Sequence, residues 1–95
     1  MATKRERLRT KSKKLFGNSY MLEVMVGVAE SPDRVNLTQL LVGKGVSPSS
    51  YSGPLRRLAD VGLLRLAPRN DDDHRERWYE AKDSPLWDAA VELAQ

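Results

Sequence analysis

Apolar positions along the chain fall into runs of helical period separated by polar segments rich in glycine, proline and serine. From Leu15 to Glu30, the residues Leu15, Phe16, Tyr20, Met21, Val24, Met25 and Val28 predict an amphipathic helix with a broad buried face. Gly17 and Asn18 interrupt this run. The regular helix is therefore expected to begin near Ser19, with Leu15 and Phe16 packing from the segment before it, and Ser31-Pro32-Asp33 ends it. Asn36, with Gln39 three residues on, is the start signal of a short second helix whose buried side is Leu37, Leu40 and Leu41. Gly43-Lys44-Gly45 stops that helix, and Val46 offers an apolar plug in the turn.

Ser47-Pro48 restarts the chain as a third helix, with serine at the cap and proline at the first helical position, and Tyr51, Leu55, Leu58 and Val61 form its buried stripe. Gly62 closes it. Leu63, Leu64 and Leu66 open an extended segment, residues 68–74 form a polar loop, and residues 75–82 alternate as a returning strand, which makes a β-hairpin. Trp78 and Tyr79 then project to opposite faces, one sealing the core and the other supporting the last helix or a partner. Ser84-Pro85 begins a final helix with Leu86, Trp87, Ala90, Val91 and Leu93 on one face. The predicted fold class is mainly α with a small β-hairpin, an α+β arrangement.

Ninety-five residues allow one modest core, and the proportions of apolar (40%) and charged (31%) residues are those of a globular domain. No run approaches the roughly 18 apolar residues of a membrane helix, so a cytoplasmic location and no membrane partner are expected. Cysteine is absent and His74 is the one histidine, which leaves no thiolate or histidine cluster for a metal. A catalytic site would need a nucleophile beside a base, or paired acids in a cleft, and the sequence offers neither. Gly43-Lys44-Gly45 lacks the flanking spacing of a nucleotide-binding loop, and no cofactor is expected.

The formal charge of +3 is distributed unevenly. Lys4, Arg5, Arg7, Arg9, Lys11, Lys13 and Lys14 against Glu6 give residues 1–14 a charge of +6, while residues 15–95 carry nine basic and twelve acidic side chains. The domain reading follows: a basic, flexible arm over 1–14 and one folded domain over 15–95. Such an arm either seeks a polyanion or serves as a solubilising tail.

A short helix, a glycine turn, an apolar plug, a serine and a second helix constitute a helix-turn-helix. The stretch NLTQLLVGKGVSPSSYSGPLRRLADVGLL, Asn36 to Leu64, resembles winged-helix transcriptional regulators of the MarR and ArsR type. The likeness lies in the serine-rich third helix running into Leu55-Arg56-Arg57-Leu58, and in the Gly62-Leu63-Leu64 entry to a wing. It continues through the returning strand, covering roughly residues 15 to 82. The resemblance implies double-stranded DNA as partner, the helix at about 48–61 in the major groove, the wing at 68–77 along the minor groove or backbone, and a homodimer.

Carried over residue by residue, Ser47, Ser49, Ser50 and Ser52 fall on the first turns of the recognition helix, where hydroxyls touch bases or phosphates. Arg56 and Arg57 follow, with Arg56 favoured for a DNA contact; either can instead cover the apolar stripe with its aliphatic stem. In the wing, Arg69, Arg75 and Arg77 flank Asp71-Asp72-Asp73, and an aspartate can orient one of them towards the backbone; solvated charge on a loop is the alternative. Gly53-Pro54 departs from the pattern, since longer polar side chains usually stand there. Either the helix bends between Ser50 and Pro54 or it begins near Ser52, and Gly53 admits close approach of backbone to duplex. Base readout by this helix is then sparse, and specificity rests on the arm and on DNA shape. A winged helix docking onto another protein, with the acidic wing as its contact, is the rival reading. A nucleoid-associated location in the cytoplasm accompanies the DNA reading.

Overall fold

In a computed structural model that describes residues 3–31, 34–67 and 77–95, the first element is a helix where the sequence predicts a flexible arm. Helix α1 spans Lys4–Phe16. The Thr3 side chain accepts the Glu6 amide at 3.1 Å, and the Gly17 amide donates to the Lys13 carbonyl at 2.9 Å, so both ends are capped. Long cationic side chains are good helix formers, and here they surround a narrow inward face of Leu8 and Ser12. The boundary expected at 14/15 falls inside this helix. Leu15 and Phe16 close it and stay exposed, Leu15 by 53%, rather than packing ahead of the next helix.

Ser12 anchors α1 to the body. Its fully buried hydroxyl accepts the Leu22 amide at 2.9 Å and donates to the Asn18 carbonyl at 2.6 Å. One of the free amides at the start of the next helix, α2 (Met21–Ala29), is thereby satisfied from another element. Met21, Leu22, Val24, Met25 and Val28 of α2 are buried, as the periodicity predicts.

Strand β1 (Arg34–Val35) had no sequence signal, being two residues long. Helix α3 (Leu37–Leu41) begins where Asn36 Oδ1 accepts the Gln39 amide at 2.6 Å, and it buries Leu40. Gly43 and Gly45 then take φ of +73° and +66°, a left-handed backbone that glycine adopts without steric cost, and Val46 packs against the core.

Helix α4 (Pro48–Asp60) starts at Pro48, not near Ser52, and continues through Pro54. A proline at the first position gives up no intrahelical bond, which favours the early start, and the Pro54 ring is buried on the inward side. Tyr51, Leu55 and Leu58 are buried as expected. Val61 is not: it follows the last residue of α4 and is 71% exposed.

Strands β2 (Leu64–Leu66) and β3 (Tyr79–Ala81) form the expected hairpin base, and β1 adds to it in the order β1-β3-β2, all antiparallel. Arg34 and Arg65 both lie opposite Glu80 and pair with it, Arg65 Nη2 at 2.7 Å and Arg34 Nε at 3.7 Å. Tyr79 packs against the core and Trp78 is half-buried. Helix α5 (Pro85–Ala94) is capped by the Ser84 hydroxyl, which accepts the Leu86 amide at 3.1 Å. It buries Trp87 and Ala90, and the Trp87 indole donates to the Lys82 carbonyl at 2.7 Å. Leu86 and Leu93, expected on the packed face, are exposed. No helix among the described residues is long and apolar enough to cross a membrane.

Candidate functional site

Helix α4 owes its orientation to two features, the glycine turn before it and the buried Tyr51-Pro54-Leu55-Leu58 side beneath it. Burying that side turns the other outward. Ser49, Gly53, Arg56 and Arg57 are exposed, and Ser50 and Ser52 are half-buried. A Cβ added at Gly53 would meet nothing within 4 Å, so the backbone there lies open. Ser47 occupies the cap position but its hydroxyl caps no amide. It sits 3.0 Å from the Ser49 hydroxyl and 3.1 Å from that of Ser50, leaving a cluster of hydroxyls at the start of the helix.

A cleft of about 520 Å³ separates α4 from α3 and the root of the wing. Arg56 and Ser52 line one wall, Thr38 of α3 another, and Arg77 and Tyr79 the third. Arg56, Arg57 and Arg77 form no ion pair among the described residues, whereas Arg9, Arg34 and Arg65 are each held by a carboxylate. Arg56 and Arg77 line this cleft together with the Asp60 carboxylate, so two cations and one anion face it among the described residues, and Arg57 stands outside it. Arg69, Arg75, His74 and the three aspartates of the wing lie outside the described residues.

The cations of α1 divide into two sets. Arg5 donates to the Lys44 carbonyl at 3.0 Å, Arg9 to Glu23 at 2.8 Å and Lys11 to the Leu93 carbonyl at 2.6 Å. Lys4, Arg7, Lys13 and Lys14 are exposed, with no such tie among the described residues. The fully buried Tyr51 ring of α4 directs its hydroxyl to the same Glu23 carboxylate, whose side chain is only 9% exposed. Burial, and secondly the bond to Glu23, hold the Tyr51 phenol above the usual tyrosine range. Sequence reading passed over Glu23; the available signal was a carboxylate set within the apolar run Met21-Leu22-Glu23-Val24-Met25. Among the described residues no group of three or more His, Asp or Glu side chains could hold a metal ion.

A helix-turn-helix whose second helix lies open, followed by a three-stranded wing root and a closing helix, defines a winged helix-turn-helix protein, and the fold is that of MarR/ArsR-like transcriptional regulators. The crystal structure of a mutant MarR from E. coli resembles this chain with a TM-score of 0.69 at 16% identity, and the likeness covers 95% of this chain and 66% of that one. The AntR antimony-specific transcriptional repressor has a similar structure, with a TM-score of 0.59 at 29% identity over 84% of this chain and 67% of its own. The chain thus spans about two thirds of the length of either protein. No family model and no curated protein matches the sequence.

Proposed function

We propose that the chain is a double-stranded DNA-binding transcriptional regulator rather than an enzyme, with α4 as its recognition helix. The observation that carries this reading is the open face of α4, where Ser49, Gly53, Arg56 and Arg57 are exposed; Arg56 and Arg77 line the adjoining cleft beside Asp60 and form no ion pair among the described residues. The two structural neighbours, a MarR protein and a transcriptional repressor, support it. Ser47, Ser49, Ser50 and Ser52 reach bases or phosphates, Arg56 and Arg57 the backbone beside them, and Arg69, Arg75 and Arg77 the groove under the wing. From α1, Lys4, Arg7, Lys13 and Lys14 supply phosphate contacts, and Arg5, Arg9 and Lys11, tied within the fold, contribute packing and field. The exposed Leu15, Phe16, Leu86 and Leu93 of the two terminal helices support a homodimer, and a nucleoid-associated, cytoplasmic location accompanies the reading.

Neutralising six to eight phosphates gives a plot of log affinity against log salt a slope of about −5 to −7, measured by fluorescence anisotropy on a labelled duplex. A slope near zero would transfer this surface to a protein partner. Arg56→Ala is expected to weaken binding by about 1–3 kcal/mol if the guanidinium reads a base, and by less, with the slope shortened by about one, if it meets a phosphate. Unchanged affinity and slope would remove Arg56 from the interface.

A further inference from the structure

Three helices meet at one carboxylate. Glu23 of α2 accepts Arg9 Nε of α1 at 2.8 Å on one oxygen and the Tyr51 hydroxyl of α4 on the other. Aromatic contacts flank the Arg9 side of this carboxylate, where Arg9 Nη2 is buried without a hydrogen-bond partner, while its other side borders an open pocket of about 200 Å³. The Arg9 guanidinium lies 4.8 Å from the centre of the Tyr20 ring, and the Tyr20 and Tyr51 rings stand 6.1 Å apart at a tilt of 59°. Arg9, Glu23, Tyr51 and Tyr20 thus form a connected cluster behind the open face of α4, on the side turned away from Ser49. A second tie lies alongside, because Arg5 of α1 holds the Lys44 carbonyl in the turn that introduces α4.

The geometry points to Glu23 as a positioning residue for the recognition helix: through it, α1 sets the angle at which α4 is presented, although neither Glu23 nor Arg9 faces the groove-filling surface. A helix held only by an apolar stripe can roll about its long axis at small cost in buried area. A hydroxyl bonded to a carboxylate on a neighbouring helix fixes that rotation, and the carboxylate is itself held in place by a guanidinium from the far side. Burial of Glu23 strengthens both bonds, since solvent competes little for a side chain so enclosed. Arg9 is therefore a strut, and a cation of the basic segment acts on binding without touching the ligand. The inference rests on the assignment of α4 as the recognition helix, and its test separates the two.

The full chain and its Tyr51→Phe, Glu23→Gln, Arg9→Met and Arg9→Lys variants are compared by backbone amide NMR without DNA, and by affinity for a duplex selected from a random pool with the unaltered chain. Tyr51→Phe keeps the ring and its packing, so it reports on the hydroxyl even if Glu23→Gln does not fold. Displaced amides from Ser49 to Arg57, unchanged amides from Leu86 to Leu93, and a loss of about tenfold in affinity are expected for Tyr51→Phe and Arg9→Met. Arg9→Lys, which can still reach the carboxylate, restores both. Amides of α4 that stay in place in Tyr51→Phe, or an Arg9→Lys variant as displaced as Arg9→Met, would overturn the proposal. If the α4 amides move but the unaltered chain binds no duplex, the strut stands and the DNA reading falls.

Discussion

Deleting residues 1–17 is expected to unfold the domain at room temperature, not merely to remove a cationic surface. The deletion strips the Leu22 amide of the Ser12 hydroxyl, uncovers the apolar surface under Leu8, and leaves Glu23 without Arg9. The uncovered Leu22 amide and Glu23 carboxylate exchange their partners for water, at a net loss of about 0.5–1.5 kcal/mol for the amide bond and about 1.5–3 kcal/mol for the charged one, and the apolar surface under α1 is lost to solvent as well. Against a total stability of about 5–15 kcal/mol for a domain, these losses and the uncovered apolar area leave little margin. Thermal unfolding followed by circular dichroism checks it. A truncated chain that melts cooperatively within a few degrees of the full one would return α1 to the status of an appended arm.

The helix was concealed in the sequence by its own composition. Seven cations in residues 4–14 read as a solvated run, and the inward face is only Leu8 and Ser12, too thin a stripe for periodicity to register. A local sign was present all the same. Thr3 followed by Glu6 is the start of a capping-box pattern, and the structure uses its first half. Nothing local could show that a serine would be the most enclosed residue of α1, because its partners, the Leu22 amide and the Asn18 carbonyl, are backbone groups brought there by the fold.

The helix-turn-helix was legible for the opposite reason. Asn36 acts through its side-chain cap and Gly43, Gly45 and Pro48 through their own backbone geometry, all within a few residues, so α3 and the turn are legible without tertiary context, while the start of α4 stays open between Pro48 and Ser52 because Gly53-Pro54 points the other way. Val61 shows where that stops. Its spacing continues the stripe of Leu55 and Leu58, but the helix ends one residue earlier and the side chain turns to solvent. Strand β1 is the same lesson in a sheet, since two residues become a strand only because β3 lies alongside. The carboxylate at Glu23 belongs with these: its role depends on Arg9, 14 residues earlier, and on Tyr51, 28 residues later.

Tyr51→Ala is expected to be the most damaging single substitution on α4, and to separate the side that holds the helix from the side that is exposed. The ring is almost wholly enclosed, contacts Tyr20 at its edge and carries the hydroxyl bonded to Glu23. Truncating a buried aromatic costs about 3–5 kcal/mol through lost transfer energy and the cavity left behind. In a domain of this size each kcal/mol lowers the melting temperature by about 4–8 °C, so a drop of roughly 12–40 °C follows. Ser49→Ala, two residues away on the exposed side, removes a hydroxyl that shields nothing and should leave the melting temperature within a few degrees of the parent. Differential scanning calorimetry of the two variants is the comparison that decides. Equal melting temperatures would mean that Tyr51 does not seat α4 on the core, and the outward presentation of Ser49, Arg56 and Arg57 would lose its physical basis.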